Sequence, residues 1–172
     1  MMTRRLTGIS DAIESITALT GRQIAKHGMR RDLILLWGEA NSRNRLFPDV
    51  LPALSSLRLA RGGRPGYKLG LLSNTQSFDL DVLRREGLDL LLDDLCLSCD
   101  CGLLKPDPAI YGLAASRMGL APEEILMVGD SRPDDVEGAR AAGLTALLLD
   151  RTGKSGEGIR DLSQLAGILT AS

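Results

Sequence analysis

The feature that most constrains this chain is a series of short apolar runs that alternate with helical stretches and close on polar residues. Tyr67–Leu72 runs into Ser73 and Asn74. Ile125–Val128 runs into Gly129 and Asp130. Leu95–Ser98 and Thr145–Leu149 are further runs of the same kind. Between them, Val50–Leu59, Asp79–Glu86, Pro108–Met118 and Asp134–Ala142 read as helices, the last three stopped by Gly87, Gly119 and Gly143. Residues 161–169 read as a terminal helix. Short apolar runs alternating with helices predict a parallel sheet covered on both faces, a Rossmann-like α/β fold. In such sheets ligands bind outside the carboxyl ends of the strands, so the polar residues that close each run are the candidate site.

Upstream of this pattern the chain reads differently. Asp11 with Glu14 three residues later has the form of a capping box, and a helix is expected over 10–27, ended by His27-Gly28. Residues 30–45 read as a second helix, with Leu33, Leu36, Trp37 and Ala40 on one side. Phe47-Pro48-Asp49 marks a boundary, because proline disfavours a helical residue before it and suits a helix start. The expected division is a helical segment over 1–46 and the α/β unit over 47–172.

Composition excludes several classes. Lys+Arg 21 against Asp+Glu 22 gives a formal charge of −1, so no broad basic field draws in nucleic acid or anionic lipid. No stretch approaches the roughly 18 apolar residues of a membrane span. Acidic Asp11 and Glu14 interrupt any secretory apolar region. Three cysteines make an odd count, and a reducing, cytoplasmic setting is the default expectation. Cys96, Cys99 and Cys101 lack the second paired set that a structural zinc site draws on, and the run, on or beside a core strand, reads as small buried hydrophobes. Aromatics are only 3%, so Leu, Ile, Val and Ala must build the core.

Three strand ends carry chemistry. Ser73, Asn74 and Thr75 offer a hydroxyl and backbone N–H groups that can either cradle an anion or cap the next helix. Lys105 sits in Gly102-Leu103-Leu104-Lys105-Pro106-Asp107-Pro108, a stiff loop that aims an ammonium at small entropic cost, with Asp107 placed to cap the following helix. Asp130 follows an apolar run, while Asp134 and Asp135 open a helix, where carboxylates also suit the positive end of the dipole. Converging carboxylates repel unless a cation compensates, and a hard cation with oxygen ligands, Mg²⁺ first, would do so. These ends are spaced by about one strand–helix unit each and can meet along one edge. Their joint reading is a phosphoryl site: hydroxyl and amides on the oxygens, Lys105 neutralising charge, Asp130 on a metal.

In this order the segments resemble the core of the haloacid dehalogenase-like (HAD) hydrolases, in the helical-cap branch that includes small-molecule phosphatases. Leu71-Leu72-Ser73-Asn74 is similar to that family's second motif, Gly102–Tyr111 to its third, and Val128-Gly129-Asp130-Ser131 with Asp135 and Gly138–Gly143 to its fourth. The resemblance implies that Ser73 binds the transferring phosphoryl group with Asn74 beside it. It implies that Lys105 steadies nucleophile and phosphoryl charge, that Asp130 coordinates Mg²⁺, and that Asp135 supports the ion directly or through water. It further implies a small phosphorylated substrate, with dehalogenation the less favoured chemistry because it needs no metal.

The family's first motif, an apolar strand followed by Asp-x-Asp, has no counterpart before Ser73. The acidic residues there are Asp11, Glu14, Asp32, Glu39 and Asp49. Leu33–Trp37 with Gly38 and Glu39 comes nearest, with glycine where the nucleophile belongs. On this reading residues 1–46 are part of the cap and the sheet lacks its first strand. That leaves an exposed edge open to self-association or complementation by another chain. Without an aspartyl nucleophile the covalent route has no first step. The expectation is therefore a HAD-like phosphatase inactive as this chain; the alternative is a non-catalytic phosphate- or metal-binding module.

Overall fold

A computed structural model describes residues 35, 36, 39, 42–59, 66–75 and 81–170. The helix expected over 10–27 lies outside the described residues. Of the helix expected over 30–45, residues 35, 36, 39, 42 and 43 are helical, while 44 and 45, also described, are not.

The α/β alternation is present. Helix α1 spans Val50–Arg58, strand β1 Gly70–Ser73, α2 Asp81–Arg85, β2 Asp94–Leu97, α3 Ser98–Cys101, α4 Pro108–Met118, β3 Leu126–Gly129, α5 Gly138–Ala141, β4 Thr145–Leu148 and α6 Leu165–Thr170. Helix α4 has the cap its sequence asks for: the Asp107 carboxylate accepts from the Ala109 N–H, Pro108 occupies the first turn, and Gly119 closes the far end at φ 63°.

The strands are parallel and paired in twos. Leu72 of β1 lies opposite Cys96 of β2, and Val128 of β3 opposite Leu147 of β4. Among the described residues no strand joins β1 to β3. Both pairs nevertheless separate the same two apolar clusters. Leu72, Cys96, Met127, Ala146 and Leu148 pack on one side with Ile110, Tyr111, Val136 and Ala139. Leu69, Leu126, Val128, Leu147 and Leu149 pack on the other with Leu57, Ile159 and Leu165. The four strands therefore form one layer, interrupted between β1 and β3. All of β3 is only half-buried despite its apolar sequence, which follows from that interruption. The far edge of β4 is covered, since Leu149 bridges to Ile159.

Two elements differ from expectation. Strand β1 starts later than the expected run: its register with β2 begins at Gly70 opposite Asp94, and just ahead of it Leu69 is tied to Asp93, whose N–H donates to the Leu69 carbonyl at 2.7 Å and whose carboxylate accepts from the Leu69 N–H at 2.8 Å. The expected helix Asp134–Ala142 is instead a wide π-turn over Arg132–Glu137 that runs into α5. Within this turn the buried Tyr111 hydroxyl donates to the Asp134 carbonyl. Gly138 N–H then reaches back five residues to the Pro133 carbonyl.

The start of α1 is tied to the end of the chain. Arg151 donates to both Asp49 oxygens at 3.0 Å, Leu162 N–H donates to Asp49 at 2.7 Å, and Arg151 lies 4.0 Å over the Phe47 ring. Burial pushes the Asp49 carboxyl up, but donation from Leu162 and Arg151 outweighs it and holds the group below its ordinary value.

Candidate active site

Ser73 ends β1 and is half-buried, and its hydroxyl has no hydrogen-bond partner among the described residues. Asn74 has a different task. Its carboxamide donates to the Lys105 carbonyl at 3.0 Å and accepts from the Lys105 N–H at 2.8 Å. Both polar ends of the amide therefore clamp the backbone of the lysine loop to the end of β1. One residue on, the buried Ser98 hydroxyl donates to the Thr75 carbonyl at 3.1 Å and accepts from the Thr75 N–H at 3.0 Å, joining the ends of β1 and β2.

The Lys105 ammonium points back into this junction. It donates to the Leu72 carbonyl at 3.2 Å and to Asp135 Oδ1 at 2.5 Å. The other Asp135 oxygen accepts from the Ser131 N–H at 3.0 Å. Asp135 is thus buried with both oxygens engaged, which satisfies a charge that would otherwise be costly to seal away.

Glycine makes room for this arrangement. A Cβ on Gly129 would sit 2.3 Å from Asp135 Cγ, and one on Gly138 would sit 2.4 Å from the Tyr111 hydroxyl. Burial pushes the Tyr111 phenol up to about 12, with Asp134 and Asp135 adding to the shift, so it stays a donor to the π-turn at neutral pH.

The acidic residues of this loop divide by their partners: Asp135 meets Lys105, Asp134 meets Ser131, and Asp130 is exposed. The side chain that caps the turn is that of Ser131, whose Oγ accepts from the Asp134 N–H. Asp134 accepts from that hydroxyl at 3.1 Å and Asp135 turns inward. Asp130 is exposed and makes no hydrogen bond or ion pair among the described residues. Among the described residues, the Ser73 hydroxyl and the Asp130 carboxylate are thus unengaged, while Lys105 and Asp135 engage each other. Ser98 and Tyr111 were not anticipated as supports. Tyr111 lies inside the segment singled out by sequence, and Ser98 closes the apolar run Leu95–Ser98.

Of the cysteines, Cys96 is sealed in the core, where burial pushes its thiol up to about 11. Among the described residues no group of three His, Cys, Asp or Glu side chains is gathered to hold a metal, and no helix is long and apolar enough to cross a membrane.

A parallel α/β layer with three polar strand ends at one rim defines the class, and comparison gives the family. The haloacid dehalogenase-like hydrolase model matches residues 7–143, and the chain belongs to that family. It is 38% identical over 126 residues to phosphatase MT3486 of Mycobacterium tuberculosis, covering 72% of this chain and 55% of that protein. The crystal structure of a HAD phosphatase from Thermococcus onnurineus superposes with a TM-score of 0.69 at 27% identity, over 94% of this chain and 80% of that one. A 2-haloacid dehalogenase from Pseudomonas syringae pv. Tomato DC3000 gives a TM-score of 0.69 at 25% identity, over 95% of this chain and 72% of that one. The chain spans about half the length of the curated relatives it matches.

Proposed function

We propose that the rim formed by Ser73, Lys105 and Asp130 binds the phosphoryl group of a small phosphorylated molecule, and that the chain derives from a phosphate-ester hydrolase. The observation that supports this reading is the anchoring of Lys105: Asn74 holds its backbone at the end of β1, and its ammonium donates to the Leu72 carbonyl, one residue before Ser73, and to Asp135. Phosphoryl transfer depends mainly on positioning and charge stabilisation, and a held ammonium with a free hydroxyl supplies both. In this proposal Ser73 donates to a phosphoryl oxygen, Lys105 offsets its charge, and Asn74 positions Lys105. The cap assignment for residues 1–46 belongs to the same proposal.

A divalent ion such as Mg²⁺ keeps several waters and takes one or two carboxylates together with substrate oxygens. Asp130 offers one such carboxylate, but Asp135 is engaged by Lys105 and Ser131. The described residues alone do not complete a Mg²⁺ site, and Mg²⁺ enters the proposal only through Asp130. No Asp-x-Asp precedes Ser73, so the reading includes the absence of turnover by these 172 residues.

Calorimetry with inorganic phosphate and hydrolysis of p-nitrophenyl phosphate with Mg²⁺ test the two halves separately. The expected result is phosphate binding that weakens in Ser73→Ala, with no hydrolysis above background. Hydrolysis would overturn the inactivity, and an absence of phosphate binding would overturn the site.

A further inference from the structure

We propose that Ser98 is a positioning residue for Lys105, acting at a distance through the backbone of Thr75 and Asn74. The proposal rests on the phosphoryl-site reading, since it is at that site that Lys105 acts.

Two consecutive residues after β1 hold the two ends of one loop. At the near end, the Ser98 hydroxyl accepts from the Thr75 N–H at 3.0 Å and donates to the Thr75 carbonyl at 3.1 Å. At the far end, the Asn74 carboxamide accepts from the Lys105 N–H at 2.8 Å and donates to the Lys105 carbonyl at 3.0 Å. Two side chains thus buckle residues 98–105 to residues 74–75. The loop between has little slack. The Gly102 N–H donates to the Ser98 carbonyl at 2.9 Å, closing a turn that Gly102 ends at φ 72°. Cys101 and Leu103 pack against the core.

Covalent geometry links the two buckles. The Thr75 N–H and the Asn74 carbonyl belong to one planar peptide unit. Holding that N–H on Ser98 orients the plane, and holding the Thr75 carbonyl orients the next one. The Asn74 side chain leaves the chain at the edge of the first plane, and its amide has to meet two backbone groups of Lys105 at once. A swing of the peptide between residues 74 and 75 would break that double contact. The orientation set by Ser98 is therefore carried to the backbone of Lys105, whose ammonium reaches the Leu72 carbonyl and Asp135.

The hydroxyl itself is not available to a ligand. A serine has a single O–H to donate, and that of Ser98 goes to the Thr75 carbonyl. Ser98 is 7% exposed, so water does not readily stand in for the group when it is removed. Its contribution is to place other groups.

The test combines amide exchange, read residue by residue on the isotope-labelled chain, with calorimetry of inorganic phosphate. Ser98→Ala is expected to speed exchange at the Lys105 N–H, which Ser98 does not touch, by about tenfold, while the Ala115 N–H in the middle of α4 stays unchanged. Phosphate binding should weaken by about fivefold or more. Ser98→Thr keeps the hydroxyl and should restore both. Ser98→Cys keeps the volume but is a weak hydrogen-bonding group, and should behave as alanine does; it decides the matter if the threonine methyl does not fit. Faster exchange at Thr75 with Lys105 unchanged would show that the two buckles are independent and overturn the proposal. So would equal acceleration at Ala115, which marks a general loss of stability, or wild-type behaviour in Ser98→Cys, which makes the role one of filling space. Phosphate binding in Ser98→Ala as tight as in the wild type would overturn it as well. A wild-type chain that binds no phosphate would instead sink the phosphoryl-site reading, and the exchange measurements, which need no ligand, would still decide whether Ser98 positions Lys105.

Discussion

The Lys105 ammonium and the Asp135 carboxylate meet at 2.5 Å with 9% and 6% of their side chains exposed. Each is the other's principal counter-charge in a place where an unpaired ion would be costly. Removing one partner leaves the other buried and unpaired, which costs about 3–5 kcal/mol. Lys105→Met and Asp135→Leu should each lower stability by about that amount in urea unfolding. The double variant should lose less than the sum of the two, because it leaves no orphaned charge. Additive losses would show that the two groups do not depend on each other.

Gly129 tests the packing around that pair. A methyl there would sit 2.3 Å from Asp135 Cγ, so Gly129→Ala should cost about 1–3 kcal/mol by displacing the carboxylate. Gly112, exposed within α4 with nothing inside 4 Å of its added Cβ, supplies the control. Gly112→Ala should leave stability unchanged or raise it by about 1 kcal/mol, through helix propensity alone. Melting curves of both variants decide the matter.

Tyr111→Phe keeps the buried ring and removes the donor to the Asp134 carbonyl. The expected cost is about 1–2 kcal/mol at neutral pH. The wild-type phenol is raised from 10.0 to about 12 in the fold. The stability this group contributes is therefore fully present below pH 10 and lost as the pH rises toward 12. The gap between wild type and variant should close over that window in alkaline unfolding curves.

Asp49 predicts the opposite dependence. Its carboxyl is held below the ordinary 3.8, so its contribution is present above pH 3.8 and lost as the pH falls through the folded value. Asp49→Asn should cost about 1–3 kcal/mol at pH 7. The difference from wild type should shrink on acid titration below pH 3.8.

The alternation of strands and helices was legible because it rests on local signals: apolar run length, Asp107 before Pro108, and glycines after helices. The three polar ends were legible for the same reason. What could not be read was who engages whom. That Asn74 holds the Lys105 backbone, and that Asp135 rather than Asp130 turns inward, are decided by contacts across about thirty residues of chain and by which glycine leaves room. The π-turn has no such local signal, and the Tyr111 hydroxyl that donates to its Asp134 carbonyl lies on a different helix.

Asn74 grips residue 105 by its main chain and leaves the head group alone. Position and reactivity at that point of the rim are consequently separate heritable properties. A lineage can exchange the ammonium for another functional group, adjusting Asp135 with it, while the loop stays where it is. The tool changes and the handle does not.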